Sequence, residues 1–106
     1  MVSPEVLNEA TRRLVDRFRP HRIILFGSQA RGTAHNRSDV DLLIVCPIEG
    51  DRGELMLAMD RELRGLRLAR DVIVVSPEEF ERDRLIPGTI ARPAWLEGRV
   101  LYDATP

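Results

Sequence analysis

The sequence predicts an α/β (α+β) fold, a small mixed β-sheet flanked by helices, and three observations carry that prediction. Short apolar runs rich in Ile, Leu and Val recur at 22–26, 39–45 and 71–75, as expected of strands buried on both faces. Between them lie stretches whose apolar residues repeat at helical spacing. Proline, glycine and two Ser-Pro-Glu openings mark the joints. Alternation of the two element types places helices over a sheet. Strand order is not dictated by these patterns, so parallel and antiparallel pairs are both allowed.

The first element opens at Ser3-Pro4-Glu5, with a cap hydroxyl, a proline preset for the first turn and an acid at the positive end of the helix dipole. Val6, Leu7, Ala10, Leu14 and Phe18 give it one apolar stripe, and it should stop before Pro20. Arg22 to Phe26 reads as a buried strand ended by Gly27. Ser28 to Gly32 is expected to form a turn of helix, and Thr33 to Arg37 a polar loop. Asp39 to Val45 is the second strand, closed by Pro47.

After the loop at 49–53, a second amphipathic helix carries Leu55, Met56, Met59, Leu63 and Leu66, with Leu57 as a marginal member. Asp71 to Val75 is the third strand. Ser76-Pro77-Glu78-Glu79 repeats the opening grammar, so a helix to about Leu85 follows. Thr89 to Glu97 is a short helix limited by Pro93 and stopped at Gly98, and Val100 to Tyr102 adds an edge strand. Met56 and Met59 read as core filler. Trp95 serves either packing or a partner contact.

At 106 residues the chain is expected to form one domain over 1–106, because cores of this size do not divide. Hydrophobic residues make up 43% and aromatics 5%, so Leu, Ile and Val must build the core. Sixteen basic residues against 17 acidic ones give a net charge of -1, which argues against general nucleic-acid or membrane-surface binding. Every basic residue is Arg, so a phosphate clamp would use guanidinium forks or backbone N–H groups. A lone Cys46 fits a reducing compartment and a buried strand end. With no signal peptide or long apolar span, a cytoplasmic location is expected.

The chemistry gathers in "LFGSQARGTAHNRSDVDLLIV", residues 25–45. Residues two apart on a strand share a face, so Asp39 and Asp41 project together. Should the third strand run beside the second in the same direction, Asp71 would join them. Three clustered carboxylates repel one another, and a hard divalent cation, Mg²⁺ or Mn²⁺, relieves that conflict. A plainer reading stays open: Asp39 begins a strand, Asp41 faces solvent and Asp71 caps the preceding helix. Gly27 permits backbone angles closed to other residues and close approach of a ligand. Ser28 offers a hydroxyl, the turn after it free N–H groups for phosphate oxygens, and Arg31 a guanidinium. His21 and His35 lack metal-ligand spacing and read as loop or surface hydrogen-bonding groups. Ser28 has no Ser-His-Asp arrangement that would make it an acyl-transfer nucleophile.

Gly27-Ser28, ten intervening residues and Asp39-Val40-Asp41 resemble the signature of the polymerase-β-like nucleotidyltransferase superfamily. "LFGSQARG", "SDVDLLIV", the later strand acid Asp71 and the closing "EGRVLYD" are similar to its minimal, MntA-like branch, over nearly the whole chain. Gln29 stands where members of that branch often carry Arg. The resemblance implies the polymerase-β-like nucleotidyltransferase fold, with Asp39, Asp41 and Asp71 as catalytic residues holding two Mg²⁺ ions. Asp71 would also activate the attacking hydroxyl, and Gly27, Ser28 and Arg31 would bind ATP or another nucleoside triphosphate. It further implies transfer of AMP to a tyrosine of a HEPN-domain toxin, with the chain as antitoxin, so a complex or a homodimer is expected. Two rivals are a non-catalytic antitoxin that masks its partner and a small-molecule transferase of the antibiotic-modifying kind.

Overall fold

The structure is a computed structural model that describes residues 2–27 and 39–105. Among the described residues the elements run α1 (Pro4–Phe18), β1 (Arg22–Phe26), β2 (Val40–Val45), α2 (Arg52–Glu62), β3 (Arg70–Val75), α3 (Pro77–Asp83), α4 (Ala91–Glu97) and β4 (Arg99–Asp103). The four strands form one sheet in the order β3-β2-β1-β4. β1 pairs antiparallel with both β2 and β4, whereas β2 and β3 run parallel. The sheet is therefore mixed, as expected. The turn of helix expected at Ser28 to Gly32 and the loop at Thr33 to Arg37 lie outside the described residues, as do Gln29 and His35.

Alternation along the strands sorts the core into two layers. Ile23, Leu25, Leu42, Ile44, Val72 and Val74 face α1 and α2, where Leu7, Leu14, Met59 and Leu63 meet them. Ile24, Leu43 and Val45 face the other way, onto Phe80 of α3 and Ala91 and Ala94 of α4. Small residues on α4 bring that helix close to the sheet. A Cβ at Gly98, where α4 ends, would overlap the Ala94 carbonyl and the Ile24 side chain, so the turn into β4 admits only glycine.

The caps follow the residue chemistry. Ser3 Oγ accepts from Val6 N at 3.2 Å, and Asp51 Oδ1 accepts from Glu54 N at 2.9 Å. Ser76 and Glu79 complete a capping box, with Ser76 N donating to Glu79 Oε1 at 2.9 Å and Glu79 N donating to Ser76 Oγ at 3.1 Å. Two expectations need correction. Leu57 is half exposed because it falls on the solvent side of α2. The last helix begins at Ala91 rather than Thr89: the Thr89 hydroxyl donates to the Asp83 carbonyl at 2.7 Å and so belongs to the connecting turn. Trp95 both packs and faces solvent, 44% exposed, with its ring edge-on to Phe80 at 6.1 Å and the Arg84 guanidinium 4.6 Å from its centroid.

Candidate functional site

The parallel pairing of β2 and β3 decides where the acids go. In that register Asp41 lies opposite Asp71, a separation of about 4.8 Å between neighbouring strands. On the far side of Asp41, the antiparallel register sets Phe26, the last residue of β1, opposite it. One cross-sheet row thus reads Phe26, Asp41, Asp71. Asp41 and Asp71 share strand parity with Leu43 and Ile73, so both carboxylates rise on the layer that holds α3 and α4.

The pairing at this corner is held from outside. Val40 N donates to the Ala69 carbonyl at 2.8 Å, which fixes the mouth of β2 against the approach to β3. Arg70, just before Asp71, donates from Nε to Asp60 Oδ1 at 2.9 Å, from Nη1 to the Leu68 carbonyl at 3.0 Å and from Nη2 to the Asp60 carbonyl at 2.8 Å. Its fork ties the end of α2 to the start of β3 on the opposite layer. Asp71 is presented by a clamped backbone.

Electrostatically, Asp41 is the stressed member. Partial burial pushes its carboxyl above the ordinary aspartate range, and the nearby charges of Asp71 and then Asp39 push the same way. Asp39, exposed and just ahead of β2, contributes through its field. Asp71 follows the strand geometry of β3 rather than capping the helix before it.

Three carboxylates therefore share one corner, with Asp41 and Asp71 adjacent and Asp39 beside them. Among the described residues no group of three or more His, Cys, Asp or Glu side chains is drawn tightly enough to form a metal cage. Mutual repulsion works against closer approach. The donor set itself fits a hard divalent cation: it is all oxygen, and the carboxylate at its centre is held ionised only at a cost. Gly27 adjoins it at the end of β1, with φ at +78°. Ser28 and Arg31 lie outside the described residues.

Two features of the corner escaped sequence reasoning. Phe26 was legible only as a strand residue, and its place opposite Asp41 depends on antiparallel register. Arg70 drew no reading from the sequence, yet it clamps the backbone just before Asp71. Its position beside the acid was the one available signal.

A mixed sheet with carboxylates at the mouths of two parallel strands and a glycine turn ending the neighbouring strand defines the nucleotidyltransferase class of fold. The chain belongs to the nucleotidyltransferase domain family, whose model matches residues 7–101. No curated protein matches it. Among solved structures, it is similar to a protein from Sulfolobus solfataricus assigned to the nucleotidyltransferases, with 22% identity and a TM-score of 0.67, over 94% of this chain and 79% of that one. A chain from a toxin-antitoxin structure with AMP-PNP is similar at 20% identity and a TM-score of 0.58, over 92% of this chain and 74% of that one. At these identities the likeness speaks for the fold.

Proposed function

We propose that this chain is a magnesium-dependent nucleotidyltransferase of the minimal, MntA-like kind, a single domain over 1–106 that moves AMP from ATP onto a hydroxyl of another molecule. The observation that carries the reading is the register of Asp41 beside Asp71 on parallel strands, with Asp39 two residues ahead. Asp39, Asp41 and Asp71 would hold Mg²⁺, two ions in the full site, with Mn²⁺ as a substitute. Held by these carboxylates, such a cation would supply charge to offset the triphosphate and would lower the pKa of the acceptor hydroxyl. Gly27 and Ser28 seat the phosphates, and Arg31 adds a guanidinium. Asp71 takes the acceptor proton as its oxygen attacks the α-phosphorus; the new P–O bond forms while the bond to pyrophosphate breaks.

On this reading another molecule supplies the acceptor surface. A HEPN-domain protein presenting a tyrosine suits that role, in the cytoplasm. Support for a protein partner comes from the similar chain found in a toxin-antitoxin structure. The loose spacing of the acids favours a second reading, in which the chain masks its partner without catalysis.

One experiment separates the two readings. Purified protein, ATP labelled at the α-phosphate, Mg²⁺ and the protein encoded next to it are incubated together. Label should move to the partner, and Asp39→Asn should lower the rate by about 10²–10³-fold while the complex and the fold persist. A tight complex that never acquires label, or a full rate in Asp39→Asn, contradicts the catalytic reading.

A further inference from the structure

Gly27 is read from sequence as a turn residue that lets phosphate approach. The structure gives it a second neighbour. A Cβ built on Gly27 would overlap Oδ2 of Asp41 and come within 3.4 Å of its Cγ. The three nearest atoms to that position all belong to the Asp41 side chain. By contrast, Gly50, Gly65 and Gly88, which also have positive φ, have open space where a Cβ would go. At those three turns glycine answers backbone geometry alone; at Gly27 it also answers a carboxylate.

We propose that Gly27 is a positioning residue: the side chain it lacks is the space in which the Asp41 carboxylate sits, with Oδ2 against the Gly27 backbone. The proposal rests on the reading of Asp41 as a cation ligand for its functional consequence, but not for its geometry. Phe26 and Asp41 are cross-strand partners, so the residue after Phe26 leaves the sheet directly beside Asp41. The obstructed atom is the end of a side chain with two rotatable bonds, while the backbone around it is fixed by the β1 and β2 ladder. An added methyl would therefore move the carboxylate before it moved the sheet. Displaced, Asp41 no longer meets an ion together with Asp71, and a ligand set that loses the orientation of one member loses affinity.

Backbone strain is the rival explanation for any defect at this position, and two substitutions separate it from the steric seat. Gly27→Ala introduces both a Cβ and a penalty for positive φ, whereas Gly27→Asn introduces a Cβ on a residue that tolerates the left-handed region. Crystal structures of both variants should show the Asp41 carboxylate in a new rotamer with the sheet unchanged. Mn²⁺ binding, followed by electron paramagnetic resonance on nucleotide-free protein, should weaken about 10- to 100-fold in both. Adding either change to Asp41→Asn should weaken Mn²⁺ binding no further. Should Gly27→Ala fail to fold, Gly27→Asn carries the test.

An Asp41 carboxylate that stays in place in both variants overturns the proposal, as does normal Mn²⁺ affinity in Gly27→Asn alongside a defect in Gly27→Ala. The two readings fail separately. A displaced carboxylate with undiminished nucleotidyl transfer would remove Asp41 from the proposed mechanism while leaving the seat intact.

Discussion

Asp41 carries the tension of the fold. Its carboxyl is pushed up chiefly by burial and then by Asp71 and Asp39, so the folded chain holds that proton more tightly than the unfolded chain does. Between the unfolded pKa, near 3.8, and the higher folded one, the native state binds more protons, and stability falls as pH rises. Above the folded pKa the penalty is fully present. Asp41→Asn should therefore stabilise the metal-free protein at neutral pH. Thermal unfolding at pH 7 without metal checks this, and a variant less stable than the natural chain contradicts it. On the proposed reading Mg²⁺ would compete with the same proton, so its affinity should rise with pH through the Asp41 titration and level off above it. The acids themselves were legible as residues, since two-residue alternation and an acid opening a later strand suffice to pick out Asp39, Asp41 and Asp71. The second role of Gly27 was not, because it depends on a contact across two strands that no local pattern encodes.

Secondary-structure elements were legible where caps and apolar spacing agreed. Ser3 and Ser76 announce α1 and α3, and both hydroxyls accept from the helix N-terminus. Ser76→Ala removes one side of the capping box and should cost about 1 kcal/mol, read as a lowered denaturation midpoint with an unchanged slope. Glu79 is committed twice, to that box and to Arg52 Nη2 at 2.8 Å, and these partners hold its carboxyl down at about 2. It stays ionised in mild acid, so the Ser76 effect should persist at pH 5. Legibility failed where side chains rather than spacing set the boundary. Thr89 bonds back to the turn and delays α4, and Leu57 falls on the outer side of α2 although its neighbours Met56 and Met59 pack inward. The Arg70 clamp is also invisible to periodicity, because it joins two elements ten residues apart. Arg70→Ala should loosen the entry to β3 and weaken Mn²⁺ binding about tenfold or more, with the fold retained. Unchanged affinity would reduce the clamp to a packing device.

At the scale of the molecule, sheet order is what converts scattered acids into a corner. Alternation of strands and helices made the layered class legible, but whether Asp71 would stand beside Asp41 depended on β2 and β3 being neighbours and parallel, which arises from packing over the whole chain. The central strand serves both layers, with Leu42 and Ile44 facing α1 and α2 and Leu43 facing α3 and α4. Phe80, 1% exposed, anchors the layer on which the acids rise, and Phe80→Ala should cost about 3–5 kcal/mol as measured by denaturant unfolding. The most direct test of the whole account is calorimetric titration of a non-hydrolysable ATP analogue into the protein with and without Mg²⁺, repeated on Asp41→Asn and Asp71→Asn. The account predicts binding that needs Mg²⁺ and disappears in both variants while each remains folded. Binding of equal strength without Mg²⁺, or undiminished in the two variants, would contradict it.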